Sequence, residues 1–144
     1  MTFKQIKFAT LLYFLATSII SCKTQLNQTK NNLQEGKWIT IDTFDYPYIS
    51  KGKYNRGKPK GSWIYIYNDK LDRKEKYKKT KCLTTFYHPN GKIMRKGYTQ
   101  LDDNDKETHW YYTGKWNYFN KNGLPTRTNI YEKGKLMDSI IIND

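Results

Sequence analysis

The chain has 144 residues, a formal net charge of +13, 16% aromatic residues and a mean hydropathy of −0.92. That length allows a single domain. The aromatic content excludes a disordered polar chain, because such chains lack the rings needed to bury surface. The polarity therefore belongs to the exposed faces of a thin β-structure, and a wide apolar core is not expected.

In chain order the first element is a leader. Lys4 and Lys7 precede Phe8–Ile20, thirteen mostly apolar residues without a charge. That is the make-up of a secretory h-region and is short of the ~20 residues a spanning helix needs. The run ends in Ile19-Ile20-Ser21-Cys22, which resembles the lipobox of bacterial lipoproteins, with Ile19 where Leu is commoner. The resemblance implies cleavage between Ser21 and Cys22 and acylation of the Cys22 thiol. An ordinary signal peptide and a buried apolar helix are the alternatives. With Cys22 acylated, Cys82 has no partner for a disulfide within the chain; it reads as a small buried hydrophobe, the alternative being a reactive thiol. Residues 22–35 are polar and rich in Asn and Gln, and read as a flexible tether between a signal peptide (1–21) and a folded domain (36–144).

The domain repeats itself. Gly36-Lys37-Trp38, Gly61-Ser62-Trp63 and Gly114-Lys115-Trp116 are one step three times over, and Leu83–Gly91 aligns with Lys115–Gly123 with Thr84 in place of a Trp. A Tyr follows each at 14 to 16 residues: Tyr54, Tyr77, Tyr98 and Tyr131. After Trp63 the run Ile64-Tyr65-Ile66-Tyr67 alternates two residue kinds across a strand. Arg56-Gly57 before it, Asn68-Asp69 after it, and Asn90-Gly91 and Asn122-Gly123 further on supply turn chemistry. Four hairpins in succession predict an all-β antiparallel meander of about eight strands, with Asp138–Ile142 as a closing edge strand.

The spacing Tyr-x-x-Gly-Lys-x-x-Gly-x-Trp, as in Tyr54–Trp63, resembles the bacterial variant of the MORN repeat over roughly Gly36–Leu136. The first unit lacks the Asn-Gly turn and the third its Trp. The resemblance implies an elongated, twisted, nearly single-layer sheet in which hairpins stack their aromatics. Trp38, Trp63, Tyr65, Trp116 and Tyr118 then form the repeat core, the alternative being an aromatic stripe for a ligand. Phospholipid binding and an antitoxin-component label come with the same resemblance.

Between Lys51 and Lys81 twelve Lys and Arg stand against Asp69, Asp72 and Glu75. Such an excess either keeps sheet edges from aggregating or forms a polyanion site. The candidate anion-binding residues are Lys74, Lys76 and Lys78 on one strand face and Arg56, Lys58 and Lys60 at the preceding turn. Leu101–Thr108 (LDDNDKET) reads as an exposed hairpin loop. Its acids Asp102, Asp103, Asp105 and Glu107 lack the central Gly and distal Glu of an EF-hand. His88 and His109 belong to no set with metal-ligand spacing, and no nucleotide or nucleophile-elbow motif occurs.

These readings point to a lipid-anchored, non-catalytic binding or scaffold module of the cell envelope, facing the periplasm or on the outer membrane. It would need no metal or cofactor and would contact anionic lipid or polysaccharide. The alternative is an immunity or antitoxin-type protein that neutralises a toxin by direct contact. Nucleic-acid binding suits the charge but conflicts with export, and an envelope enzyme has no nameable site.

Overall fold

A computed structural model describes residues 25–43, 45–104 and 107–142, without the side chains of 103, 104, 107 and 108. The signal peptide, Ser21 and Cys22 lie outside the described residues. The architecture is all-β: ten antiparallel strands in one open meander, each hydrogen-bonded to its neighbours in sequence. The strands are β1 (Gln28–Lys30), β2 (Leu33–Thr43), β3 (Pro47–Asn55), β4 (Lys58–Tyr67) and β5 (Lys70–Lys78), then β6 (Lys81–Tyr87), β7 (Ile93–Asn104), β8 (Glu107–Phe119), β9 (Pro125–Glu132) and β10 (Lys135–Ile141). The four anticipated hairpins are β2–β9, with one further strand at each end.

The tether reading of residues 22–35 is corrected from Gln28 onward. Gln28–Lys30 pairs with Leu33–Glu35 across Asn31-Asn32, both at positive φ (52° and 59°). Asn tolerates the left-handed region better than most residues, so two of them close a two-residue hairpin without glycine. The Asn27 side chain then brackets Ile39, accepting from its N–H and donating to its C=O at 2.8 Å each.

Asn90-Gly91 and Asn122-Gly123 lie in hairpin turns, each one residue longer than the Asn-Gly pair. Pro89-Asn90-Gly91 and Lys121-Asn122-Gly123 are three-residue loops in which the glycine alone takes positive φ (82° and 86°). Each is closed by paired backbone bonds, His88 N–H to Lys92 C=O and Asn120 N–H to Leu124 C=O. The two loops lie side by side, joined by Asn90 Nδ2 to Lys121 C=O and Lys92 Nζ to Asn122 C=O, 2.8 Å each. The expected loop at 101–108 is strand over most of its length, since pairing continues from Leu101↔Trp110 to Asn104↔Glu107. Asp105 lies outside the described residues.

The units are held together by one recurrent device. Between Lys53↔Lys60 and Lys51↔Ile64, the single residue Gly52 faces the three residues Gly61, Ser62 and Trp63. Between Lys96↔Asn117 and Tyr98↔Thr113, Gly97 faces Gly114, Lys115 and Trp116 in the same way. Gly61 and Gly114 take positive φ (68° and 65°), which permits the bulge. Each bulge lays the indole flat over the facing glycine, and its N–H reaches the next carbonyl: Trp63 to Lys53 at 3.1 Å, Trp116 to Tyr98 at 3.0 Å. Among the described residues Trp63, Cys82 and Trp116 are the buried hydrophobic ones, with Trp116 wholly covered. Tyr112 stacks on Trp116 (4.1 Å between ring centres) and Tyr54 meets Trp63 edge-on at 4.8 Å.

Thr84 stands in the Trp position of the third unit, and there the pairing with β5 is regular, Glu75↔Thr84. Tyr98, counted as that unit's Tyr, is displaced. Tyr54, Tyr77 and Tyr131 each stand opposite the glycine two residues before a Trp (Gly36, Gly61, Gly114). In the third unit that place, opposite Cys82, belongs to Thr99, so Tyr98 falls on the other face, exposed beside Leu83.

A Cβ at Gly52 or Gly97 would overlap the indole ring it supports. Gly52→Ala and Gly97→Ala should therefore each lower the unfolding free energy by about 1–3 kcal/mol. Lys96→Ala, a surface change beside Gly97, should stay within about 0.5 kcal/mol. Urea denaturation followed by tryptophan fluorescence measures all three.

Candidate functional site

The pairing register sorts side chains onto two faces, since directly opposed residues in a sheet share a face. The aromatic face carries Trp38, Trp63, Tyr65, Tyr77, Phe86, Trp116, Tyr118 and Tyr131. Trp63 and Trp116 are buried, and Trp38, Tyr65 and Tyr118 are half-buried. The opposite face is built from lysines and aliphatic residues.

On that second face the lysines align across strands as well as along them. Lys37 is opposite Lys53, and Lys53 is opposite Lys60. Lys60 and Lys78 each lie one position beyond the Gly61↔Tyr77 pair, and Lys78 is opposite Lys81. Five lysines thus form a row across β2 to β6, at a strand spacing of about 4.8 Å. Directly opposed like charges destabilise a sheet. Lys51, Lys74 and Lys76 flank the row on the same face, between Ile39, Ile64 and Leu83. All eight lysines are exposed.

The surface they line is shallow and concave. One depression of about 800 Å³ is lined by Lys37, Lys51, Lys53 and Lys60 around Ile39 and Ile64, with Glu35 as its one carboxylate. A second, about 680 Å³, is lined by Lys76, Lys78, Lys79 and Lys81 around Leu83 and Tyr98, with no acid. Lys74 reaches towards Tyr87, its Nζ 5.7 Å from the ring centre. The apolar residues suit the methylene stems of the lysines, which can lie along them while the ammonium groups stay in water.

Of the candidates from sequence, the structure brings Lys60, Lys74, Lys76 and Lys78 onto this face and places Lys58 at its margin, at the start of β4. Arg56 stands apart. It occupies the β3–β4 turn at φ 49°, and its N–H donates to Glu35 Oε2 at 2.7 Å. Lys37, Lys51, Lys53 and Lys81 were missed. Their signal was the alternation Lys51-Gly52-Lys53, which becomes meaningful only once its partners on β2 and β4 are known.

The aromatic face holds its own charges. Glu75 Oε2 accepts from Tyr65 Oη (2.8 Å) and Tyr77 Oη (2.7 Å), and Glu75 Oε1 lies 3.3 Å from Arg73 Nε. Arg73 stacks on Tyr65, 3.9 Å from the ring centre. Burial first, then the charge of Glu75 and its hydrogen bonds, push both phenols well above the ordinary tyrosine range. Burial likewise raises the Cys82 thiol, whose Sγ sits 3.7 Å from Thr84 Oγ1. The His88 ring is tied to Phe119 C=O at 3.0 Å. Among the described residues no group of three or more His, Cys, Asp or Glu is placed to hold a metal ion, and no helix is long and apolar enough to cross a membrane.

The raised tyrosine values fix a pH dependence. A phenol whose folded pKa exceeds its unfolded one stabilises the fold fully below pH about 10, and that contribution is lost as pH rises through the folded value. In a titration read by ultraviolet absorbance, Tyr65 and Tyr77 should ionise last. Glu75→Gln, which removes the repelling charge, should bring their ionisation to lower pH. The native Cys82 thiol should react with a disulfide reagent only on unfolding. Rapid labelling of the native chain would contradict its burial.

Comparison with protein-family models, with curated proteins and with solved structures finds no match.

Proposed function

We propose that this chain is a non-catalytic binding module of the bacterial envelope, held to a membrane by lipid on Cys22, that lays its lysine face against an anionic surface. The observation that carries the reading is the row Lys37–Lys53–Lys60–Lys78–Lys81. Its three directly opposed pairs, Lys37 with Lys53, Lys53 with Lys60 and Lys78 with Lys81, oppose folding, and an anionic surface relieves that repulsion. The flanking lysines and the acid-free depression at Leu83 and Tyr98 extend the contact without a countercharge.

Electrostatics gives the reading a scale. Each basic residue near an anionic membrane surface contributes about 1 kcal/mol, within a Debye length of about 10 Å at moderate salt. A lipid chain and a polybasic patch together are a recognised way to make a reversible anchor stable. The MORN-like spacing of the units is consistent with this reading.

Two measurements test it. Intact mass of the membrane-extracted chain should begin at Cys22 with added acyl chains, and Cys22→Ala should lose both the processing and the acylation. An unprocessed, soluble product would refute the anchor. Separately, the soluble domain should co-sediment with vesicles of anionic lipid or lipopolysaccharide in a salt-sensitive manner. Lys60→Glu, Lys74→Glu, Lys76→Glu and Lys78→Glu together should abolish that binding, and unchanged retention at low salt would refute the lysine face.

A further inference from the structure

The aromatic face carries one constellation twice. In the first copy Gly61, Trp63 and Tyr65 lie opposite Tyr77, Glu75 and Arg73. In the second, Gly114, Trp116 and Tyr118 lie opposite Tyr131, Asn129 and Arg127. Glycine, tryptophan, arginine and both tyrosines recur at matching register positions, and one residue differs. Where the first copy has the carboxylate of Glu75, the second has the amide of Asn129.

The consequences can be followed atom by atom. In the first copy Glu75 gathers two phenol donors and pairs with the guanidinium of Arg73, so the group is electrically closed. In the second, Arg127 stacks on Tyr118 much as Arg73 does on Tyr65, 4.5 Å from the ring centre. Asn129, however, donates its Nδ2 to Tyr131 Oη (3.1 Å), while its Oδ1 accepts from Ser139 Oγ (2.9 Å). The amide is held with its donor towards the tyrosines, the reverse of the role Glu75 plays. The Tyr118 and Tyr131 hydroxyls lie 3.5 Å from one another.

A second arginine stands on the other side of Tyr118 in the same register row. Arg95 lies directly opposite Tyr118 from the β7 side, as Arg127 does from β9. Its guanidinium stacks on Phe86 at 4.0 Å, and its Nε is buried without a hydrogen-bond partner. Among the described residues neither Arg95 nor Arg127 has a carboxylate partner. Two arginines and the Tyr131 phenol therefore flank Tyr118, and no carboxylate among the described residues pairs with them.

We propose that Arg95, Arg127, Tyr118 and Tyr131 form a binding site for a carboxylate group carried by a ligand, which supplies from outside what Glu75 supplies from within the first copy. Planar guanidinium forks match a carboxylate in geometry and charge. Tyr131 accepts from Asn129, so its own proton is free to donate to the ligand. The Tyr131 phenol is held below the ordinary tyrosine range by its hydrogen bonds with Tyr118 and then Asn129, and by the charges of Arg127 and Arg95. Its partner Tyr118 shifts the other way, raised by burial first and then by its hydrogen bond with Tyr131. The site is on the face opposite the lysine row and does not depend on it.

The test uses succinate as probe, titrated into the soluble domain against sodium chloride at matched ionic strength, with the thermal unfolding midpoint and the arginine Nε resonances as readouts. The wild-type chain should show a saturable rise in midpoint and shifts confined to the Arg95 and Arg127 resonances. Asn129→Glu installs the carboxylate of the first copy; it should be more stable without ligand and bind succinate at least ~tenfold more weakly, the loss of about one charged hydrogen bond. Arg95→Gln with Arg127→Gln should abolish the response, whereas Lys74→Gln, Lys76→Gln and Lys78→Gln together should keep it, which separates this site from the lysine face. No effect of succinate beyond that of chloride would overturn the proposal, as would an undiminished response in Asn129→Glu. A response to inorganic phosphate without one to succinate would overturn the carboxylate assignment.

Discussion

The sheet depends on the contact between an indole ring and a glycine backbone. A single layer of strands has no second layer to bury its apolar side chains, so burial has to be achieved within one face. Trp63 and Trp116 do this by lying flat across the neighbouring strand, where Gly52 and Gly97 leave room for the ring. The three-against-one pairing brings each Trp to that position, and the positive φ of Gly61 and Gly114 makes it attainable. Tyr54 and Tyr112 then cover the rings. Take away the bare backbone under the ring and the largest buried surfaces of the molecule have nowhere to go.

That dependence explains how much could be read in advance. The Gly-x-Trp steps and the Tyr that follows them are local, so hairpin order and the aromatic face were legible. What was lost was whatever register alone decides. Tyr98 keeps the right distance from Thr84 along the chain, yet regular pairing in β6–β7 puts Thr99 in its place. The β1–β2 hairpin escaped because Asn31-Asn32 makes its turn between short polar strands, which carry no apolar alternation. The partners Glu75 and Asn129 lie 54 residues apart and become comparable only when their strands are aligned with β4 and β8. The lysine row, assembled from five strands, was only half visible as a charge excess.

The two faces solve opposite electrostatic problems. On the aromatic face charges are few and each guanidinium lies over a ring: Arg73 over Tyr65, Arg95 over Phe86, Arg127 over Tyr118. On the lysine face charges are many, hydrated and mutually repelling. Guanidinium suits the first setting because it is planar and weakly hydrated, and ammonium suits the second because it is compact and stays in water on a flexible stem. The segregation of Arg from Lys across a sheet one layer thick follows from that difference in hydration.

Finally, the meander places every strand beside its neighbours in the chain and beside no others. The backbone ladder is therefore loaded one rung at a time when tension is applied at either end, because no distant segment shares the force. A pull directed through the first strand would peel β1 from β2, then β2 from β3, as a zipper opens. The bulged tryptophan steps would be the points where the tear pauses. Such a molecule resists peeling poorly but yields in stages, lengthening by whole strands before it lets go, and on release it can close again from whichever part is still paired.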